Sequence, residues 1–266
     1  MTTLSSTVTD SATMLRRQLR HMLRYPTLTV LVAALPVVFL LIFVYVFGGT
    51  LGAGLGRGLA GGRPAYVAYV TPGILLLAVA AAAQGTAISV ATDMTTGIIA
   101  RFRTMSIARA AVLTGHVLGS MIQSLLSVAL VLGVAALTGF RPAAGPLAWL
   151  GAMGLLVATA FAFTWLCVAL GLAARTIEGA SNSPMFLLVL PFLGSGFVPT
   201  GSMPTGLRWF AEYQPFTPIT EALRGLLTGG PVAGHAVLAG GWCAGIALVS
   251  YVGARWRYNR GPHLAG

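Results

Sequence analysis

The stretch YVAYVTPGILLLAVAAAAQGTAISVA, Tyr66–Ala91, holds 26 residues and no Asp, Glu, Lys, Arg or His. As a helix rising about 1.5 Å per residue it reaches about 39 Å, enough to cross the ~30 Å hydrocarbon core of a bilayer. Five more apolar runs share the chain with it: Leu28–Phe47, Ala110–Thr138, Leu147–Ala173, Ser183–Val198 and Val232–Gly253. Pro36 interrupts the first, and Ser183–Val198 is short and carries Pro184 and Pro191. No Asp, Glu, Lys or Arg lies inside any of them. The pattern predicts an all-α integral membrane protein with six transmembrane helices.

Composition excludes the main alternatives. Only 8% of the 266 residues are charged and 56% are hydrophobic, with a mean hydropathy of +0.85. Soluble domains carry about 25% charged residues, and disorder requires low hydrophobicity. All 16 basic residues are arginines. Without lysine the chain has no Walker A phosphate loop, so it is not expected to hydrolyse ATP itself. The Ala-, Gly- and Arg-rich, lysine-free composition points to a GC-rich bacterial genome. The net charge of +11 is assigned to anionic lipid headgroups at the membrane surface rather than to nucleic acid. Cys167 and Cys243 lie in apolar runs without metal-ligand spacing and are read as inert buried thiols. No Ser/His/Asp set, Cys/His cluster or intramembrane carboxylate pair is apparent, so no catalytic, cofactor-binding or metal-binding residue is expected.

Six crossings put both termini on one side. That face holds eleven arginines (Arg16, Arg17, Arg20, Arg24, Arg101, Arg103, Arg109, Arg175, Arg255, Arg257 and Arg260) against five opposite (Arg57, Arg63, Arg141, Arg208 and Arg224). The positive-inside rule makes it cytoplasmic, with the chain in the bacterial inner (plasma) membrane. No cleavage site follows the first run, which is read as a retained helix. In residues 11–25, Met14, Leu15, Leu19, Met22 and Leu23 fall near one helical face and the arginines largely elsewhere. This is expected to be an N-terminal amphipathic helix lying in the interface; a merely basic flank is the plainer alternative. The glycine-rich loop Gly48–Arg63 reads as a flexible link.

Polar residues recur inside the apolar runs. His116, Ser120, Gln123, Ser124 and Ser127 form one helical stripe, and Gln84, Thr86 and Ser89 lie on the preceding span. Gln84, Ser120, Gln123, Ser124 and Ser127 form either a translocation path for an amphipathic compound or a set of interhelical packing contacts. His116 is expected near the cytoplasmic end, in contact with water, with no second His or carboxylate at metal-ligand spacing. Phe39, Phe43 and Phe47, at i, i+4 and i+8, read as a lipid-facing or packing stripe.

Two connections carry more information. Residues 93–109 combine Asp93 with Arg101, Arg103 and Arg109, and a short helix there would present Ile98, Ile99, Phe102 and Met105 to a partner groove. In residues 200–231, Pro204 is expected to open a short helix through Phe210. Thr217 and Pro218 are expected to cap and start a second, which Gly229 and Gly230 end. Glu221 and Arg224 can pair there at i, i+3; at headgroup level such a pair contributes little.

The spacing Asp93, Gly97, Arg101, Phe102, Arg103 with Arg109 resembles the cytoplasmic loop of ABC-2 type transporter permeases of the daunorubicin/doxorubicin-resistance type. Ser106 stands where that family usually has proline. PTGSMP (Pro199–Pro204), LRWF (Leu207–Phe210), Gln214 with Pro215, and EALRGL (Glu221–Leu226) resemble its outer segment, and Ala174–Ala180 its fourth-to-fifth loop. The resemblance covers nearly the whole chain. It implies one transmembrane domain over residues 1–266, with short extracellular re-entrant helices before the last span. Asp93, Gly97, Arg101, Phe102, Arg103 and Arg109 would couple to an ATPase. Pro204, Pro215, Glu221 and Arg224 would belong to an outer gate or re-entrant segment. The implied partners are two copies of a separate cytosolic ATPase, which holds ATP and Mg, and a second permease chain, identical or related. The implied activity is drug efflux or antibiotic resistance: export of a hydrophobic or amphipathic drug or lipid. An ATP-independent scaffold or secondary transporter is the alternative; a proton-coupled carrier would want an ionisable mid-membrane residue, and none is visible in the spans.

Overall fold

A computed structural model describes residues 26–54, 62–96 and 109–260, with positions 13, 16, 20 and 24 of the N-terminal arm. Every regular element among these is helical. In chain order they are α1 (Pro26–Ile42), a π turn (Phe43–Phe47), α2 (Gly48–Gly54), α3 (Arg63–Thr95), α4 (Arg109–Leu137) and α5 (Pro146–Ala173). A broken stretch follows, with α6 (Ile177–Asn182) and α7 (Phe186–Val189) joined and followed by 3-10 turns. The chain ends with α8 (Thr205–Tyr213), α9 (Phe216–Thr228) and α10 (Ala233–Arg260).

α3 is the centre. Pro64 at its first turn fits a helix start, where no N–H partner is needed. From Val70 to Ala83 every residue is buried, as expected of a helix apolar on all sides. It packs against α1, α4, α5, α6 and α9. Small residues set the approach. A Cβ on Gly73 would lie 2.6 Å from the Gly196 carbonyl oxygen, and one on Gly171 of α5 would lie 2.6 Å from that of Ala87. The backbones touch at both places, which only glycine permits. α5 pairs with α10 through Trp165 and Tyr251, whose rings sit edge to face at 4.9 Å.

Among the described residues five helices are long and apolar enough to cross a membrane, within Val30–Ala53, Arg63–Thr95, Leu113–Leu137, Pro146–Ala173 and Ala233–Tyr258. The run expected as a continuous fifth of six spans is different. It becomes Ile177–Leu193, helical but broken by 3-10 turns that start beside Pro184 and Pro191. Proline lacks the donor an α-helix needs and clashes with the preceding turn. At about 1.5 Å per residue its 17 residues reach only about 26 Å, short of a full crossing as a straight helix.

The phenylalanine stripe packs against this broken stretch. Phe43 lies 4.5 Å from Phe197 and Phe39 lies 5.4 Å from Phe192, centroid to centroid. Phe192 and Phe197 stack on each other at 4.4 Å. α9 runs beside α5: Phe216 meets Phe163, halfway along α5, at 5.1 Å, and Leu226 reaches Gly151, near its start. Along the arm, Thr13, Arg16, Arg20 and Arg24 are helical and exposed. The apolar positions expected on its other face lie outside the described residues, as do Gly97, Arg101, Phe102 and Arg103 of the coupling segment.

The Gly73 contact predicts a stability difference. Gly73→Ala should lower unfolding stability by about 1–3 kcal/mol, the usual cost of overpacking. Gly133→Ala on α4, where an added Cβ meets nothing within 4 Å, should be neutral or slightly stabilising, because alanine favours helix. Thermal unfolding of the two variants in one detergent reads the difference; equal midpoints would contradict the contact.

Candidate functional site: two polar clusters at opposite ends of the central helix

The first cluster lies at the Tyr66 end of α3, and Arg224 organises it. α9 begins after Pro215 and stops at Gly229, which adopts the left-handed conformation (φ 83°). The Gly229 and Gly230 N–H groups both donate to the Gly225 carbonyl, at 2.9 and 3.0 Å. The expected stop is therefore where the sequence puts it. The expected start is not: Thr217 lies inside α9, with its hydroxyl accepting from the Ser195 N–H at 3.3 Å and donating to the Ala211 carbonyl. Pro204 precedes α8, which runs on to Tyr213.

A little over two turns into α9, Arg224 points back at α3. Its Nη1 donates to Glu221 Oε1 at 2.6 Å, and Nε and Nη2 donate to the Tyr69 carbonyl at 3.3 and 3.2 Å. Nη2 also donates to the Ser195 carbonyl at 2.7 Å, and the guanidinium lies 3.8 Å from the Tyr69 ring centroid. Only 13% of the Arg224 side chain is exposed, against 28% for Glu221. The pair is thus more enclosed than a headgroup-level ion pair, and most of the arginine's donors serve backbone. A planar fork of five N–H groups suits this work; an ammonium does not.

Neighbours complete the hold on the turn after the broken helix. The Tyr69 hydroxyl donates to the Ser195 carbonyl at 3.0 Å and the Tyr66 hydroxyl to the Phe197 carbonyl at 3.3 Å. Gln214 Nε2 donates to the Leu190 carbonyl at 3.1 Å. Residues 190–197 leave α-helical geometry and are largely buried, so their carbonyls need donors from elsewhere in the protein. α3, α9 and Gln214 supply them.

The second cluster lies at the Asp93 end. Asp93 was expected in an exposed connection beyond the second span. Instead α3 continues to Thr95, and Asp93 is buried inside its last turns. Thr92, Thr95 and Thr96 bond back within the helix there, each hydroxyl donating to a carbonyl three or four residues back. His116 is also buried rather than wet, and its Nε2 lies 3.0 Å from Asp93 Oδ2. Reading the sequence for a partner at metal-ligand spacing does not pair His116 with Asp93. The sequence signal was the connection itself, since α3 and α4 form a hairpin that brings residues on either side of it together.

One turn further along α4, Ser120 Oγ bonds Thr164 Oγ1 of α5 at 3.1 Å. Gln84 Nε2 donates to the Ser181 carbonyl at 2.9 Å, joining α3 to α6. Ser124 and Ser127 are buried and Gln123 is half-buried. The contacts made by Gln84 and Ser120 are interhelical packing bonds. Ser124 Oγ, His116 Nδ1 and Trp165 Nε1 have no hydrogen-bond partner among the described residues. Arg109 opens α4. Among the described residues no group of three or more His, Cys, Asp or Glu side chains could hold a metal ion.

Arg224→Ala should cost about 2–3 kcal/mol of stability, because it strands Glu221 and strips donors from partly buried carbonyls. Arg208→Ala should cost about 0–1 kcal/mol, since the Arg208–Glu212 pair is exposed. Arg224→Lys should fall between. Denaturation midpoints check the order; Arg224→Ala matching Arg208→Ala would contradict the clamp.

Comparison with known proteins places this geometry. The family model of the ABC-2 type transporter matches residues 10–228. A daunorubicin resistance ABC transporter permease, DrrB1, of Streptomyces coeruleorubidus is 30% identical over 184 residues, 69% of this chain and 62% of the relative. The chain thus spans somewhat under two thirds of that relative's length. A probable doxorubicin resistance ABC transporter permease, DrrC, of Mycobacterium tuberculosis is 29% identical over 210 residues, 75% of each chain. With the family model covering most of its length, the long apolar helices and the packed short helices between the last two of them, the chain belongs to the ABC-2 type transporter family.

Proposed function

We propose that this chain is the membrane-embedded permease subunit of an ATP-driven exporter of hydrophobic or amphipathic compounds, drugs or lipids. The observation that carries this is the family match over residues 10–228, together with relatives named as resistance permeases. The lysine-free sequence supports the placement of ATP and Mg on a separate ATPase. Two ATPase copies and a second permease chain, identical or related, complete the assembly.

Ile177–Leu193 and the turn after it form the sixth crossing in this reading, because side chains from α3 and α9 satisfy their irregular backbone. α8 and α9 form the re-entrant outer segment, with Pro204, Pro215, Glu221 and Arg224 in the outer gate. The depth of Phe216 against the middle of α5 supports this. The arginine distribution makes the Asp93 end cytoplasmic, with both termini inside the bacterial inner membrane. Residues 93–109, with Gly97, Arg101, Phe102, Arg103 and Arg109, meet the ATPase together with the N-terminal arm of residues 11–25. ATP-driven closure there shifts the helices between inward- and outward-open states of comparable energy.

Purification of the tagged chain from its native membrane tests the assignment. A Walker-motif ATPase should co-purify at stoichiometric level, and Arg101→Glu in the purified complex should abolish substrate-stimulated hydrolysis and transport while leaving insertion intact. Reproducible absence of an ATPase from mildly solubilised, folded protein would overturn the function. Normal stimulated hydrolysis and transport by Arg101→Glu would overturn the coupling role.

A further inference from the structure

The segment proposed to receive the ATPase stroke joins α3 to α4, and a buried acid–base pair closes the hairpin just behind it. Asp93 lies three residues before Thr96, and His116 seven residues after Arg109, the first residue of α4. At about 1.5 Å per residue these are only about 5 and 10 Å of helix from the connection. Both side chains are less than a tenth exposed, and Nε2 and Oδ2 are 3.0 Å apart.

We propose that Asp93 and His116 are positioning residues that lock the inner ends of α3 and α4 together. A push on residues 97–108 then moves both helices as one unit. The inference rests on the permease reading and adds to it a transmission element within this chain.

Three features support the lock. First, the buried apolar side chains of α4 are unevenly spread: Val128, Val131 and Ala135 join the main core toward its far end, while Leu118, Leu126, Leu130 and Leu137 are exposed. At the inner end its buried apolar contacts come from Leu113 and Val117, in a small cluster with Val90, Trp165, Val168, Ala254 and Tyr258. Second, apolar side chains can usually replace a buried ion pair without loss of stability, whereas a polar pair fixes one register among several. Third, the lock is continued inward. The Ser120–Thr164 bond ties α4 to α5, and the backbone contact of Gly171 with Ala87 ties α5 to α3. Three helices are therefore held as one block behind the segment. α1 and α10 keep long apolar faces exposed, including Val30, Leu31, Val46, Val237, Leu248 and Val249. The opposite face of α10 packs on α5, with Ala254 and Tyr258 in the cluster behind the lock, so that face travels with the block.

The test uses Asp93→Asn, His116→Ala and the exchanged double variant Asp93→His with His116→Asp. In the purified complex with its ATPase, the wild type must first show ATP-driven transport; if it does not, the permease reading fails and not the lock. Given that activity, each single variant should move roughly tenfold less substrate per ATP hydrolysed, and the exchange should recover most of that ratio. Spin labels at Thr95→Cys and Leu118→Cys, both exposed positions, report on the lock in the chain alone. Their distance distribution should be narrow in the wild type and the exchanged variant and broad in the singles. Singles with wild-type distances and wild-type transport per ATP would overturn the proposal. So would an exchanged variant that folds and assembles yet restores neither; this outcome decides the matter even if a single variant fails to fold.

Discussion

Backbone that leaves the α-helix inside a packed core must find hydrogen-bond partners within the protein, and the rest of this fold is arranged around the place where the chain does so. Two prolines break Ile177–Leu193, and the following turn carries carbonyls that no regular helix serves. Gln84 meets Ser181 near its beginning, Gln214 meets Leu190, Tyr69 and Arg224 meet Ser195, and Tyr66 meets Phe197. Most of these donors stand on α3 or α9. That explains why α3 is the most enclosed helix and why α9, only 13 residues long, is buried along most of its length.

The two ends of α3 are held by different chemistry. At the Tyr66 end, side chains grip backbone, with Arg224 as the multivalent donor. At the Asp93 end, side chains grip each other: Asp93 with His116, and Ser120 with Thr164. Between them the contacts are apolar and close, set by Gly73 and Gly171. A transporter needs rigid pieces that move relative to one another, and packed cores switch between discrete arrangements rather than deform continuously. Polar locks at both ends of a tightly packed helix suit the rigid piece. The exposed apolar faces of α1 and α10 lie on the outside of this packed unit.

The long spans were legible because unbroken apolar length has one strong physical meaning. So were the glycine stop of α9 and the proline before α8, which follow from local backbone chemistry. The π turn at Phe43–Phe47 and the path of Ile177–Leu193 were not, because tertiary contacts decide how a proline-broken apolar run is laid down. Asp93 was misplaced for a related reason. A carboxylate at the end of an apolar run normally marks the water boundary, but here His116 meets it across the hairpin and three threonine hydroxyls bond back within the helix. The pairing of Glu221 with Arg224 was readable from spacing, whereas the reach of Arg224 to Tyr69 and Ser195, 155 and 29 residues away, was not.

The central claim is that side chains of α3 and α9 hold the irregular backbone after the broken helix. Hydrogen–deuterium exchange in lipid nanodiscs, followed on peptides covering residues 190–199, tests it most directly. Those amides should exchange nearly as slowly as those of α3 in the wild type. In Arg224→Gln they should open together with the amides of α9, while those of α4 stay unchanged. Fast wild-type exchange across 190–199, or no response to the loss of Arg224, would contradict the account.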